Sequence, residues 1–364
     1  MKLTVTQENL TKALTAVGRV ASGKTPLPIL NNILLRTDSN RLVVAATNLE
    51  IAITEHIGAK IEQNGAVTVP ARLMTEFISN LPKGNVELVA DGAHLKITAG
   101  RYSSMIHGME ADEFPELPTI SEAISFDIPL ETFKRAVTQT VLAASGDATR
   151  PILTGVYAHT YEGQLYFVAS DGYRLAERRI QPVAGELAAI IPASTLQDVL
   201  RVAPESSASV SLLFDDTQVR FRMNEVEVTS RLIDGTFLDY RQLIPKTTEH
   251  TVELEKADFT RITKIASLFA RESGGSVVVK TDSTKQALSM HSIASQLGEN
   301  TSEAAGKVVG DGEVTLNSRY LLEALNCIDS ADVRFAFGGK LAPCVLTAIS
   351  DDPDYQHIIM PMKS

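Results

Sequence analysis

Apolar residues recur along the chain in two rhythms. Leu3 and Val5 alternate with polar neighbours, and Leu10, Ala13, Leu14 and Val17 then fall at helical spacing. This predicts a short strand running into an amphipathic helix. The same succession returns at Phe126, Ile128, Phe133, Ala136 and Val137, and again at Val252, Leu254, Phe259, Ile262 and Ala266. Val5, Ile128 and Leu254 are spaced by 123 and then 126 residues, and Leu10, Phe133 and Phe259 keep both offsets. Offsets shared by several positions mark an internal repeat.

A second landmark recurs in each third. Val67-Thr68-Val69-Pro70-Ala71, Ile190-Ile191-Pro192-Ala193 and Val314-Thr315-Leu316-Asn317-Ser318 each close a strand and open a helix; Pro suits a first helical turn and Asn an N-cap. The predicted helices carry Met74, Phe77, Ile78 and Leu81, then Leu196, Val199, Leu200 and Ala203, then Leu321, Ala324, Leu325 and Ile328, with Pro82 and Pro204 stopping the first two. Short strands are expected at 164–169, 210–214, 218–223 and 333–337, with turns at Asp91-Gly92, Asp215-Asp216 and Gly338-Gly339. The polar stretch 292–306 has no clear turn signal and reads as a flexible outer loop. Each third thus holds two helices, too few to cover both faces of a parallel sheet, so the expected class is α+β: mostly antiparallel sheet with paired helices on one face. Pro-containing polar clusters at 115–121 and 245–250 place the boundaries, giving domains 1–121, 122–247 and 248–364, each with its own core.

Composition narrows the function. The chain has 34 basic and 44 acidic residues, a net charge of −10, which argues against a simple basic nucleic-acid binder. Met1-Lys2-Leu3-Thr4-Val5-Thr6 lacks the apolar segment of a signal peptide and no run suits a membrane span, so a soluble, cytoplasmic protein is expected. Cys327 and Cys344 sit in apolar runs and read as reduced, buried thiols; no metal site or cofactor is indicated.

Four segments carry a resemblance over the whole length. Ala169-Ser170-Asp171-Gly172-Tyr173-Arg174-Leu175-Ala176, Leu232-Ile233-Asp234-Gly235-Thr236-Phe237-Leu238-Asp239-Tyr240-Arg241, Met360-Pro361-Met362-Lys363 and Thr25-Pro26-Leu27-Pro28-Ile29-Leu30 are similar to signatures of the bacterial DNA polymerase III beta subunits, the sliding clamps. The resemblance implies three clamp domains per chain and a head-to-tail homodimer of six domains around duplex DNA. Twelve helices would then line the hole and sheets form the rim. It also implies a processivity factor with no catalytic activity, loaded by a clamp loader and tethering the polymerase III catalytic subunit and other replication or repair proteins.

The charges agree with that picture. The six predicted helical stretches sum to +5, leaving −15 elsewhere. A comparatively basic inner wall suits a duplex with one phosphate charge per about 1.7 Å. Candidate DNA-facing cations are Lys24, Arg72, Lys134, Arg135, Arg201, Arg261 and Lys264. Few contacts and no base-reading element imply weak, sequence-blind, salt-sensitive attraction.

The resemblance further implies an apolar groove on the middle and last domains for a peptide of Gln-Leu-x-Leu-Phe type. Matching positions are Arg150, Leu153, Ser170, Gly172, Tyr173, Arg174 and Leu175; Leu238, Gln242 and Leu243; Asn317 and Tyr320; and Leu341, Pro343, Met360, Pro361 and Met362. Leu and Met supply an adaptable pocket, Gly172 admits a close backbone, and Asn317 and Arg174 are expected to pair polar ends of the peptide. Leu238 stands where the family commonly has Pro, and Gln242 where a basic residue is frequent, so this wall is reshaped. Ser104 and Ile106, against Leu268 and Phe269, are the implied dimer contacts.

Other motifs lack their context. Gly18-Arg19-Val20-Ala21-Ser22-Gly23-Lys24-Thr25 satisfies the P-loop pattern, but a helix rather than a strand precedes it, and Pro26 and Pro28 oppose a helix after it. The seven histidines are expected at the surface or at strand edges, and Asp351-Asp352-Pro353-Asp354 reads as a solvated turn. Besides the clamp, two readings stay open at this point: a P-loop NTPase and a clamp-like adaptor that binds peptides without encircling DNA.

Overall fold

The computed structural model describes residues 1–22, 27–120, 124–296, 298–350 and 353–362. Six α-helices occur among them: α1 (Gln7–Val17), α2 (Ala71–Ser79), α3 (Leu130–Val141), α4 (Ala193–Val202), α5 (Lys256–Phe269) and α6 (Ser318–Cys327). Each is entered directly from a strand, as the repeat predicts. Thr6 caps α1, its hydroxyl accepting from Asn9 N at 3.4 Å, and Asn317 caps α6, its side-chain oxygen accepting from Arg319 N at 2.9 Å.

Helical spacing decides which residues are buried. α1 buries Leu10, Ala13, Leu14 and Val17 and packs on α2, which buries Ala71, Met74 and Ile78; α5 and α6 pair likewise through Phe259, Ile262, Ala266, Leu321, Ala324 and Leu325. Each large apolar side chain contributes about 1.5–3 kcal/mol by leaving water.

All strand pairings are antiparallel, in sheets of five, eight and twelve strands. Two pairings link different thirds of the chain: strand Ile51–Gly58 pairs with Val226–Arg231, and Arg174–Pro182 pairs with Tyr355–Ile359. Because the sheets continue across the thirds, two compact units form. One comprises Met1–Glu131 with Ser194–Leu232, the other Thr132–Ala193 with Ile233–Ser364. Two comparable edges stay open. Among the described residues, Tyr102–His107 is a terminal strand that pairs only with His94–Ala99. Among the described residues, 298–305 pair only with Ala287–Ala294, the rest of their strand turning to meet His250–Glu255.

Two expectations are corrected. The stretch 292–306 is not a loop: Ala287–Ala294 and Gly298–Val309 form a hairpin in register from Ala287↔Ala305 to Ala294↔Gly298. Backbone pairing there does not need apolar alternation, because most of the second strand's side chains face water. Two histidines are interior rather than peripheral. His159 is buried beside Tyr240, and His357 is fully buried with the Tyr355 hydroxyl 2.9 Å from its Nδ1.

Candidate functional site

Several of the predicted groove residues meet in the second unit at one turn. Strand Gln164–Ser170 ends in a buried serine whose Oγ donates to Arg174 O at 2.8 Å and accepts from Gly172 N at 3.1 Å. Asp171 Oδ1 accepts from Tyr173 N and Arg174 N at 2.9 and 3.0 Å. Closing so tight a turn requires φ +92° at Gly172, a region that glycine enters without steric cost. Arg150, at the head of the short helix Pro151–Thr154, reaches over this turn, donating to Asp171 O at 3.4 Å and pairing with Asp147 at 3.0 Å. Leu153 is half-buried in that helix.

The turn launches strand Arg174–Pro182, against which Tyr355–Ile359 lies, so the C-terminal segment is delivered to the same place. Met360 N donates to Tyr173 O and Met362 N to Thr315 O, both at 2.8 Å. Met360, Pro361 and Met362 remain half-buried. Leu175 and Ile358 are buried in one apolar cluster with Val168, Ile190, Phe237 and Tyr240, while Ile152, Leu238 and Val345 pack on it half-exposed. Leu243, Leu341 and Tyr173 stand exposed, Tyr173 at 62%. Pro343 is half-buried just before strand Cys344–Ala348, which pairs with the same C-terminal strand. Gln242 is exposed and bonded to Asp239.

Two of the predicted groove residues hold contacts within the chain. Arg174 is 7% exposed and holds Asp171 at 3.1 Å, Glu323, the Leu142 carbonyl and the face of Tyr320. Asn317 caps α6 and donates to Gly274 O at 3.3 Å.

Sequence reasoning missed what holds the wall. Phe237 stacks on Tyr157 (4.9 Å), Tyr157 on His159 (4.6 Å) and His159 on Tyr166 (5.5 Å), and the Arg241 guanidinium lies 3.7 Å from the Tyr161 ring centre and 4.9 Å from that of Tyr166. The Tyr240 hydroxyl donates to buried Glu177, which also accepts from Gln356 at 2.6 Å. With its hydrogen directed at Glu177, that hydroxyl accepts from His159 Nε2 at 2.9 Å, while Nδ1 lies 3.4 Å from Thr160 O. Burial pushes His159 down to about 4, with the Arg241 charge adding to it, and Tyr240 upward. The column fixes the segment carrying Leu238, Gln242 and Leu243.

Of the seven candidate cations, Lys24 lies outside the described residues. Arg72 on α2 pairs with Glu76 (2.9 Å), Arg135 on α3 with Asp329 (3.2 Å), Arg201 on α4 with Asp198 (2.9 Å) and Arg261 on α5 with Asp258 (2.6 Å), each arginine at least half exposed. Such exposed pairs are worth only about 0–1 kcal/mol and exchange readily for another anion. Lys134 and Lys264 lie on α3 and α5. Of the implied dimer residues, Ser104 and Ile106 lie on the open strand Tyr102–His107; Ile106 points inward and is buried, so only its backbone edge is available, while Leu268 at the end of α5 is exposed and Phe269 half-buried.

The tempting motifs lead away from catalysis. α1 precedes the P-loop pattern, residues 23–26 lie outside the described set, and the chain re-enters at the 3₁₀ helix Pro28–Asn31. Asp354 pairs with Arg179 at 2.8 Å, while 351–352 are outside the described residues. Burial raises Cys327 to about 11 and Cys344 to about 12, leaving both as protonated thiols.

Residues 1–118, 127–239 and 241–363 match the N-terminal, central and C-terminal domains of the DNA polymerase III beta subunit. A beta sliding clamp from Synechocystis is 30% identical over 389 residues, covering 100% of this chain and 99% of its own. The crystal structure of the Bacillus subtilis DNA polymerase sliding clamp superimposes with a TM-score of 0.95 at 26% identity, covering 100% of this chain and 99% of that one. A Bartonella birtlesii sliding clamp, solved bound to griselimycin, does so at 0.93 with 26% identity, covering both chains fully.

Proposed function

This chain belongs to the DNA polymerase III beta subunit family, and from that premise we propose that the surface around Leu175, Leu238 and Met362 is the groove through which it holds its partners. In this family the chain is a polymerase processivity factor, a non-catalytic subunit that binds DNA and polymerase partners. The domains are read as 1–121, 122–247 and 248–364.

One observation carries the groove reading. An apolar floor, Leu175 and Ile358, is packed against half-buried Leu238 and Val345, and the methionine-rich segment that follows Ile359 is held by backbone bonds from Met360 N to Tyr173 O and from Met362 N to Thr315 O. An extended Gln-Leu-x-Leu-Phe segment would bury its Leu and Phe there, at about 1.5–3 kcal/mol each before ordering costs. Those two side chains fall short of the roughly 8 kcal/mol of a micromolar complex, so micromolar affinity also needs the peptide's backbone and polar contacts, and exchange among partners needs nothing tighter. Arg150 and Gln242 supply a polar rim. The test is titration of a fluorescent Gln-Leu-Asp-Leu-Phe peptide into the wild-type protein and Met362→Ala, followed by anisotropy. Saturable micromolar binding weakened by the substitution supports the groove, and no binding by the folded protein refutes it.

The repeat also supports a head-to-tail homodimer. In the first and middle thirds, strands Ile51–Gly58 and Arg174–Pro182 are each completed by the strand that corresponds to Tyr102–His107 in the next third. Among the described residues the corresponding segment of the last third, 298–305, has no such partner, and Tyr102–His107 has an open side. Two copies satisfy both edges at once, which closes the assembly rather than propagating it. Lys96 and Arg101 beside one edge and Glu299 and Glu303 on the other are exposed and carry no ion pair among the described residues, so the edges are electrostatically matched. With the helix cations turned to phosphates, the closed assembly encircles duplex DNA and slides without reading sequence.

A further inference from the structure

The turn that builds the groove occurs a second time, 123 residues earlier, within the first unit. Thr47 Oγ1 donates to Ile51 O at 3.0 Å, as Ser170 Oγ does to Arg174 O; Leu49 N donates to Thr47 Oγ1 at 3.0 Å, as Gly172 N does to Ser170 Oγ. Asn48 Oδ1 accepts from Glu50 N and Ile51 N at 3.0 and 2.9 Å, the role of Asp171 in the groove. Arg231 N donates to Glu50 O at 3.0 Å, the counterpart of Met360 N on Tyr173 O. Phe114 is buried at the position matching Phe237. The same scaffold therefore frames a cavity of about 270 Å³ lined by Leu49, Ile51, Glu50, Glu116, Pro118 and Arg231 among others.

Its chemistry has diverged from the groove. Leu49 holds φ +77° where the groove has Gly172, and yet it is 48% exposed. A leucine enters that region only against steric resistance, and strain of this kind concentrates at sites with a function. The groove's cation Arg150 corresponds to uncharged Leu27. Two carboxylates, Glu50 and Glu116, enter instead, against one cation, Arg231; all three are exposed and carry no ion pair among the described residues, which leaves the lining net negative.

We propose that this second turn is a docking site for an extended protein segment presenting an apolar side chain flanked by basic ones. The apolar side chain sits against Leu49 and Pro118, and the basic ones meet Glu50 and Glu116. Room for about one anchoring side chain, below the usual ~300–1,000 Å³ of a full ligand pocket, makes it a secondary contact. It selects the opposite charge from the groove, and it goes beyond the groove reading.

The test uses fluorescein-labelled Lys-Leu-Lys-Leu-Lys amide titrated into the full-length protein, with Glu-Leu-Glu-Leu-Glu amide as counterpart. Saturable binding of the basic peptide is expected, at least fivefold tighter than that of the acidic one. It should weaken fivefold or more in Glu50→Lys/Glu116→Lys and in Leu49→Gly, which keeps the turn. Met362→Ala should leave it unchanged, separating this site from the groove. Glu186→Lys/Glu205→Lys makes the same change in net charge at exposed positions elsewhere, with thermal melts checking folding throughout. Equal loss in this control means diffuse charge attraction, loss in Met362→Ala places the peptide in the groove, and no saturation by millimolar peptide means no site. Each of these overturns the proposal.

Discussion

The Arg174 guanidinium lies 4.5 Å from the centre of the Tyr320 ring and is buried there between Asp171 and Glu323. It joins the Asp171–Arg174 turn to α6, so that turn is positioned by an ion network as well as by apolar contact. Removing the arginine would leave Asp171 without its cation and Glu323 with Arg319, 3.7 Å away. Arg174→Ala is expected to lower unfolding stability by about 3 kcal/mol, and Arg174→Lys by a substantial part of that, because an ammonium cannot stack and fork simultaneously. Chemical denaturation of both variants checks this.

Leu175 and Met362 separate floor from lip. Met362 is half-buried and tied through its backbone, so Met362→Ala should weaken Gln-Leu-Asp-Leu-Phe binding about tenfold, the effect of removing one apolar side chain from the pocket wall, with an unchanged melting temperature. Leu175 is 2% exposed, and Leu175→Ala should destabilise the protein by about 2–5 kcal/mol through the cavity it leaves. Parallel melts and anisotropy titrations distinguish the two. If Met362→Ala binds like wild type, the C-terminal segment is not part of the groove.

The reach of sequence reasoning follows from this difference. Helix starts, the threefold period and the hairpin turns at Asp91-Gly92 and Asp215-Asp216 are encoded locally, by spacing and by residues with particular backbone preferences, and these expectations match the structure. The commitments of Arg174 to Glu323, 149 residues away, and of Tyr240 to Glu177 are long-range and leave no periodic trace. For the same reason the aromatic column through Tyr157, His159, Tyr166 and Phe237 is invisible in the sequence. The hairpin through 292–306 reads as a loop because an exposed strand need not alternate apolar with polar residues.

Two buried neutral histidines give a pH dependence. Burial lowers His159 to about 4 and His357 to about 3, against about 6.5 in the unfolded chain. Between these limits the unfolded state binds protons that the folded state does not, so stability is full above about pH 6.5 and falls as pH drops toward 4. By pH 5 the two should cost together about 2–4 kcal/mol. Denaturant midpoints between pH 7.5 and 4.5 measure this, and His159→Gln should flatten the profile.

The dimer proposal makes a charge-reversal prediction. Arg101→Glu or Glu303→Arg alone places like charges across the paired edges and should weaken dimerisation about tenfold at low salt, an effect shrinking above ~0.5 M where the screening length falls below ~5 Å. The double variant should recover much of the loss. Sedimentation velocity across a dilution series reads both results, and additive losses in the double variant would show that the two edges do not meet.

Retention on DNA should depend on topology more than on charge. The helix arginines are exposed and each is paired with a nearby carboxylate, so direct attraction to phosphate is weak, while a closed ring cannot leave a circular duplex without opening. After loading by a clamp loader, the protein should stay on nicked circular DNA through gel filtration at 0.3 M salt and be lost once the same DNA is linearised. Arg72→Ala/Arg261→Ala should shift the salt dependence of binding to linear duplex, reducing the slope by about one for each phosphate that is no longer neutralised, and leave retention on circles nearly unchanged. Equal loss from circular and linear DNA would mean that the protein binds its partners without encircling the duplex, leaving the groove as its principal activity.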